Sequence, residues 1–109
     1  MNDKVLSLLS IAAKSGNIAS GEFSVENMVK GKKGYLVIIS MDASQNTKKK
    51  FYNMCKYYHT PIYEYATKEA LGHWIGKEYR VCVCISDAGL ANALMKRLES
   101  EKLNNGGKS

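Results

Sequence analysis

The chain has 109 residues, 45% of them hydrophobic, which is enough to close one core and too little for a second. No apolar run approaches the roughly 20 residues that a membrane-spanning helix needs, so the expectation is a soluble, unexported protein. Sixteen Lys and Arg against ten acids give a formal charge of +6, which favours anionic partners, nucleic acid first among them; a plain solvated lysine surface reads equally well. The three cysteines, Cys55, Cys82 and Cys84, are an odd number without disulfide-scaffold spacing and fit reduced thiols in a cytoplasm.

Asn2 or Asp3 caps a first helix in which Val5, Leu8, Leu9, Ala12 and Ala13 recur at helical spacing and make a core face. Ser15-Gly16-Asn17 stops it, and Ile18-Ala19 is a short edge strand. Ser20-Gly21-Glu22 opens a second helix with Ser20 as the expected cap, Val25, Met28 and Val29 as the buried stripe and Phe23 outside that stripe. Gly31-Lys32-Lys33-Gly34 leads into Tyr35-Leu36-Val37-Ile38-Ile39, an apolar run without alternation, as in a strand covered on both faces. Polar Ser40 to Ser44 opens a third helix, whose inner face carries Thr47, Phe51, Met54, Cys55 and Tyr58 and whose Lys48, Lys49, Asn53 and Lys56 fall elsewhere.

His59-Thr60-Pro61 breaks the pattern, and Ile62 to Tyr65 alternates as a half-exposed strand does. Thr67-Lys68-Glu69 opens a short fourth helix, with Leu71, Trp74 and Ile75 on one face and Gly76 as terminator. Val81 to Ile85 is a second buried strand ending in Ser86-Asp87-Ala88-Gly89, and Leu90, Leu94, Met95 and Leu98 place a final helix. This order predicts an α/β fold, a three-layer α-β-α sandwich with a mixed four-stranded sheet, as a single domain over 1–99 followed by a polar, flexible tail over 100–109.

Catalytic chemistry is sparse. His59 sits in a turn and His73 on the short helix, neither beside an acid in sequence, and surface or capping roles suit both. Cys82 and Cys84 share a face of a buried strand; with Cys55 they could make a three-thiolate site, but core packing is the favoured reading without a C-x-x-C pair or a fourth ligand. Helix capping accounts for Asp42 and Asp87 more simply than a carboxylate pair does. The glycines at 31 and 34 precede a strand, whereas nucleotide-binding glycine loops follow one. No cofactor or metal is expected.

Two stretches carry binding character. Gly16, Gly21, Glu22, Phe23, Ser24 and Asn27 combine glycine flexibility, a polar helix start and an off-stripe aromatic, with the cations Lys30, Lys32 and Lys33 following, and an anion or an unpaired base suits such a surface. An ordinary helix with Phe23 folded back on the body is an equal reading. The second stretch, Gly76-Lys77-Glu78-Tyr79-Arg80, is a turn with two cations and one aromatic, as suited to a solvated turn as to an RNA-facing loop.

From Val5 to Leu98 the chain resembles the kink-turn RNA-binding ribosomal protein family of L-seven-Ae and L-thirty-e type, closest to its bacterial YlxQ-type branch. The resemblance rests on Ser20-Gly21-Glu22, the run Asp42 to Lys50, Tyr57-Tyr58-x-x-Pro61, Thr67-Lys68-Glu69-x-Leu71-Gly72, and Ile75-Gly76-Lys77-Glu78-x-Arg80-Val81. It implies a non-enzymatic cytoplasmic protein that binds structured RNA, ribosomal RNA above all, in association with ribosomes. It also implies that a kink-turn is read by the start of the second helix (Gly21, Glu22, Phe23, Ser24, Asn27, Lys30) and the loop after the fourth (Ile75, Lys77, Glu78, Tyr79, Arg80). Phe23 and Asn27 depart from the family pattern: a base-edge donor is replaced by a phenyl ring and a phosphate cation by an amide. The alternative implied by the growth-arrest-type relatives is a protein-interaction module that kept the fold and lost kink-turn binding.

Overall fold

The computed structural model describes the backbone of residues 3–106 and the side chains of residues 3–102. Helices and strands alternate through it: α1 (Lys4–Lys14), β1 (Ile18–Ser20), α2 (Glu22–Lys30), β2 (Leu36–Ile39), α3 (Gln45–Tyr58), β3 (Ile62–Glu64), α4 (Lys68–Trp74), β4 (Cys82–Ile85) and α5 (Ala88–Gly106). The strands form one sheet in the order β1-β4-β2-β3. The α3 crossover returns the chain to the same end of the sheet, so β2 and β3 are parallel, whereas β4 runs antiparallel to both β1 and β2.

Strand alternation sorts the core into two halves. Leu36, Ile38, Val83 and Ile85 face α1, α4 and α5, where they meet Leu9, Leu71 and Leu94. Val37, Ile39, Cys82 and Cys84 face α2 and α3, where they meet Val25, Val29 and Phe51. Helices on both faces explain why β2 and β4 carry no polar alternation: every residue of both is buried. The three-layer sandwich with a mixed four-stranded sheet is as the sequence predicts.

Several local expectations shift. Asp3 caps α1, its Oδ1 accepting from the Leu6 N–H at 2.9 Å, while Asn2 lies outside the described residues. Leu6 joins Val5, Leu9 and Ala12 in the core, and Leu8 and Ala13 pack at its margin. Ser44 begins α3 by accepting from the Thr47 N–H at 3.1 Å. Asp42 does not cap that helix; its Oδ1 accepts from the Lys68 N–H at 2.9 Å, so it serves the first turn of α4, alongside Thr67. Asp87 does cap the helix that follows it, accepting from Leu90 N–H at 2.9 Å. The segment 100–109, expected as a tail, continues α5 as far as Gly106, and 107–109 lie outside the described residues.

All three thiols lie in the α2/α3 half of the core. Burial pushes Cys55 up to about 11 and Cys82 and Cys84 up to about 12, because a thiolate there would lose its hydration. An alkylating reagent at neutral pH should therefore modify none of them in the folded protein and all three after denaturation; reaction of one in the native state would mean that this half of the core opens. A second check concerns Gly34, where a Cβ would fall into the Cys84 Sγ. Gly34→Ala should cost about 1–3 kcal/mol in chemical denaturation. Removing the sulfur with Cys84→Ala should relieve the clash, so that the double variant is more stable than the two single costs predict by at least about 0.5 kcal/mol.

Candidate nucleic-acid interface

The first half of the site is made where β1 turns into α2. Ser20 is the last residue of β1, paired across the ladder with Val83, so it is held in the sheet and does not cap the helix. Gly21 takes that place with φ 89° and ψ 158°, a conformation essentially reserved for glycine, and its N–H donates to the Cys82 carbonyl at 2.9 Å. Having no side chain, Gly21 gives the first turn of α2 no capping acceptor. The partial positive charge of the helix start is thus left to solvent or to a ligand. Glu22, Phe23 and Ser24 are exposed around it, and the Phe23 ring is 79% accessible because the inner stripe of α2 is Val25 and Val29.

The second half is the loop between α4 and β4. Ile75 and Lys77 both donate their N–H to the Gly72 carbonyl, at 3.1 and 2.8 Å, and Gly76 takes φ 79°, so the chain doubles back over α4. It passes so close to Gly72 that a Cβ there would lie 2.7 Å from the Glu78 carbonyl carbon and 2.9 Å from the Tyr79 nitrogen. The Arg80 N–H then donates to the Lys68 carbonyl at 3.0 Å. The loop is therefore tied by backbone contacts to both ends of α4.

Arg80 joins the two halves. Its Nε donates to the Ser20 hydroxyl at 3.0 Å and its Nη1 to the Tyr79 carbonyl at 2.6 Å. On one side of it lies a groove of about 370 Å³ lined by Gly21, Glu22, Phe23, Ser24 and Tyr79. On the other lies one of about 610 Å³ reached by Ser20, Ser24, Ile75 and Lys77. Two aromatic rings, Phe23 and Tyr79, the latter 63% exposed, line the first groove together with the Arg80 guanidinium and the uncapped start of α2.

Not every expected residue converges here. Ile75 is only 9% exposed and belongs mainly to the core. Glu78 meets α4 through its backbone, its side chain being exposed. Asn27 and Lys30 lie farther along α2, exposed, and line neither groove. Lys30 is held by Glu26 at 2.7 Å, which also meets Lys50 at 3.0 Å. The bonds from Lys30 and then Lys50 lower the Glu26 pKa, and the bond from Glu26 raises that of Lys30. Glu22 is 4.0 Å from the same Lys50, so the carboxylate nearest the groove has a cation beside it. Sequence reasoning missed Ser20 as a site residue; its link to Arg80 joins positions 60 residues apart, which no local pattern announces.

Comparisons with known proteins place this geometry in context. The chain is 38% identical over 92 residues to the RNA-binding protein YlxQ of Bacillus subtilis (strain 168), covering 84% of this chain and 92% of that one. It is 30% identical over 96 residues to the RNA-binding protein YlxQ of Enterococcus faecium, covering 88% and 92%. Among solved structures it is similar to a protein of unknown function from Bacillus halodurans, with a TM-score of 0.87 and 36% identity over 90% of this chain and 99% of that one. The Giardia lamblia 15.5kD RNA binding protein shares the fold, with a TM-score of 0.75 and 20% identity over 92% of each chain. Residues 3–95 match the family described as the ribosomal protein L7Ae/L30e/S12e/Gadd45 family, and the chain belongs to that family.

Proposed function

We propose that this is a non-enzymatic protein that binds structured RNA through the start of α2 and the α4–β4 loop, with ribosomal RNA as the target and the cytoplasmic ribosome as the setting. The relatives named as RNA-binding proteins cover nearly the whole chain, including both segments. The observation that carries the reading is the Arg80–Ser20 bond, because it holds the two segments together as one surface with Phe23 and Tyr79 on its rim.

Each group has a role suited to its chemistry. The first-turn N–H groups of α2, with Arg80 and Lys77, receive phosphate oxygens; free amides at a helix start and a guanidinium fork both match an oxyanion. Phe23 and Tyr79 offer faces on which unpaired bases stack. Glu22 can accept from a base amino group and disfavours a phosphate in the same position. In a kink-turn, Phe23 in place of a polar reader changes the contact from a base edge to a base face, and the preference moves toward RNAs with an extruded or unpaired base at that point.

The decisive experiment is crosslinking and sequencing of RNA that co-purifies from cells, followed by titration of that RNA. Phe23→Ala should weaken binding by about 1–3 kcal/mol while thermal unfolding stays within about 0.5 kcal/mol of the parent. Phe23→Asn should shift preference toward standard kink-turns. Loss of several kcal/mol of stability in Phe23→Ala would make the ring structural; unchanged affinity and stability would remove this helix start from the RNA surface. Affinity should also fall steeply between low and physiological salt, as cation–phosphate contacts release counterions. Binding that ignores salt, or none to ribosomal RNA at low salt, would favour a protein-interaction role for the same surface.

A further inference from the structure

The charge surplus of the chain does not lie at the start of α2. Arg80 and Lys77 stand there against Glu22 and Glu78, so that surface is close to neutral in a protein of net charge +6. The unpaired cations gather at the other end of the strands. Ile18 of β1 and Leu36 of β2 both lie opposite Ile85, and Val37 lies beside Ile62. The connections entering that row are bonded to their neighbours: Ser86 N–H donates to Asn17 at 3.0 Å, Tyr35 N–H to Ile85 at 2.8 Å and Val37 N–H to Pro61 at 2.9 Å. The carboxyl ends of α1, α2 and α3 therefore share one end of the molecule.

Five exposed lysines, Lys14, Lys30, Lys32, Lys33 and Lys56, stand on segments 14–17, 30–35, 56–61 and 86–89, whose one carboxylate is Asp87. Asp87 is occupied by the cap of α5, and Lys30 by Glu26. Among the described residues no carboxylate lies within 4.0 Å of Lys14, Lys32, Lys33 or Lys56. Part of this charge answers the helices, since each helix end carries roughly half a unit of negative charge and Lys14, Lys30 and Lys56 occupy last turns. Lys32 and Lys33 lie beyond α2, and Lys32 opposes the local backbone preference. The left-handed residue after α1 is Gly16, at φ 75°, but after α2 it is Lys32 and after α3 His59, both at φ 59°. Lys32 N–H donates to Val29 at 3.0 Å and Lys33 N–H to Met28 at 3.1 Å, which fixes the backbone carrying both side chains. A side chain sits where glycine is more stable, so helix closure does not account for it.

The composition of this end selects its occupant. Its four segments contain no Leu, Ile, Val or Met, and their exposed rings are Tyr35 and Tyr57, each with a hydroxyl. A surface without an aliphatic centre suits neither a folded protein partner nor insertion into lipid. Spaced lysines and phenolic hydroxyls match the repeating phosphates and 2′-hydroxyls of an RNA helix. We propose that this end, built on the α2–β2 and α3–β3 connections, is a second RNA site that holds the backbone of a duplex without reading its sequence. It shares with the function proposed above only the choice of RNA as partner, because it uses none of the residues at the start of α2.

The test titrates the full chain with a blunt RNA duplex of about 20 base pairs, free of bulges, loops and kink-turns, which offers the α2 start no unpaired base. Binding should appear at low salt and fall linearly on logarithmic axes as salt rises. Combining Lys32→Gln, Lys33→Gln and Lys56→Gln should weaken it at least about tenfold and lower the salt slope by about two to three. The same change at Lys4, Lys96 and Lys102, outside this end, should cost less than about threefold, and Phe23→Ala less than about twofold. Lys32→Gly should raise the unfolding temperature while weakening the duplex. The proposal is overturned if the duplex does not bind, or if both lysine triples lose affinity equally, which would make the effect one of bulk charge. It is overturned too if Phe23→Ala loses as much as the first triple, which would assign the duplex to the α2 start, or if Lys32→Gly stabilises the fold with affinity untouched. Dependence on the first triple for binding anionic vesicles or polyglutamate, and not for the duplex, would give this end to another partner and overturn it equally.

Discussion

Everything in this molecule hangs on the pairing of β2 with β4, in which Leu36 lies opposite Ile85, Val37 opposite Cys84, Ile38 opposite Val83 and Ile39 opposite Cys82. Because both strands are buried on both faces, a slip of one residue would not expose a single apolar side chain; it would exchange the contents of the two cores. Side-chain volume prevents it. The face toward α2 and α3 carries Val37, Ile39, Cys82 and Cys84, together smaller than Leu36, Ile38, Val83 and Ile85 on the opposite face, which leaves room for the buried Phe51. The ends of the pairing are pinned as well, by the Tyr35 N–H to the Ile85 carbonyl and the Ser40 N–H to the Val81 carbonyl, each 2.8 Å.

That register decides where the candidate interface stands. The β4 start carries Arg80 and Val81, and the Cys82 carbonyl receives the Gly21 N–H, so the turn into α2 is built on the same end of the same strand. Two segments some 60 residues apart become one surface through a single strand end and one guanidinium. The sheet then separates this surface from the β3 edge by the width of β4 and β2.

The elements were largely legible because burial on both faces writes itself as unbroken apolar runs, and amphipathic helices write themselves as spacing. Phe23 outside the Val25/Val29 stripe was readable for the same reason, and its 79% exposure in the fold decides between an outward ring and one folded back on the body. Contacts between distant segments were not readable. Ser20 has the chemistry of a helix cap, yet β1 holds it in the ladder and its hydroxyl answers Arg80. Asp42 likewise stands at a helix start by sequence, but it serves Lys68, 26 residues on. A groove over β3, lined by Tyr52 from the middle of α3, Tyr63 and Glu64 of β3 and Leu98 and Glu99 of α5, is likewise assembled from three segments that only the fold brings together. The extension of α5 beyond Leu98 was hidden by a polar composition that resembles a tail.

Gly72 has a consequence for how such an interface changes over time. The α4–β4 loop lies on this glycine through the backbone of Glu78 and Tyr79, and its hydrogen bonds to α4 run from Ile75, Lys77 and Arg80 main-chain N–H groups. The path of the loop is therefore independent of the side chains at Lys77, Glu78 and Tyr79. Those positions can be exchanged without rebuilding the support beneath them, so selectivity can drift residue by residue while the platform stays where it is. The same separation confines the fold's own veto to one place: a side chain at position 72 would move the whole loop at once, whatever its tip carries.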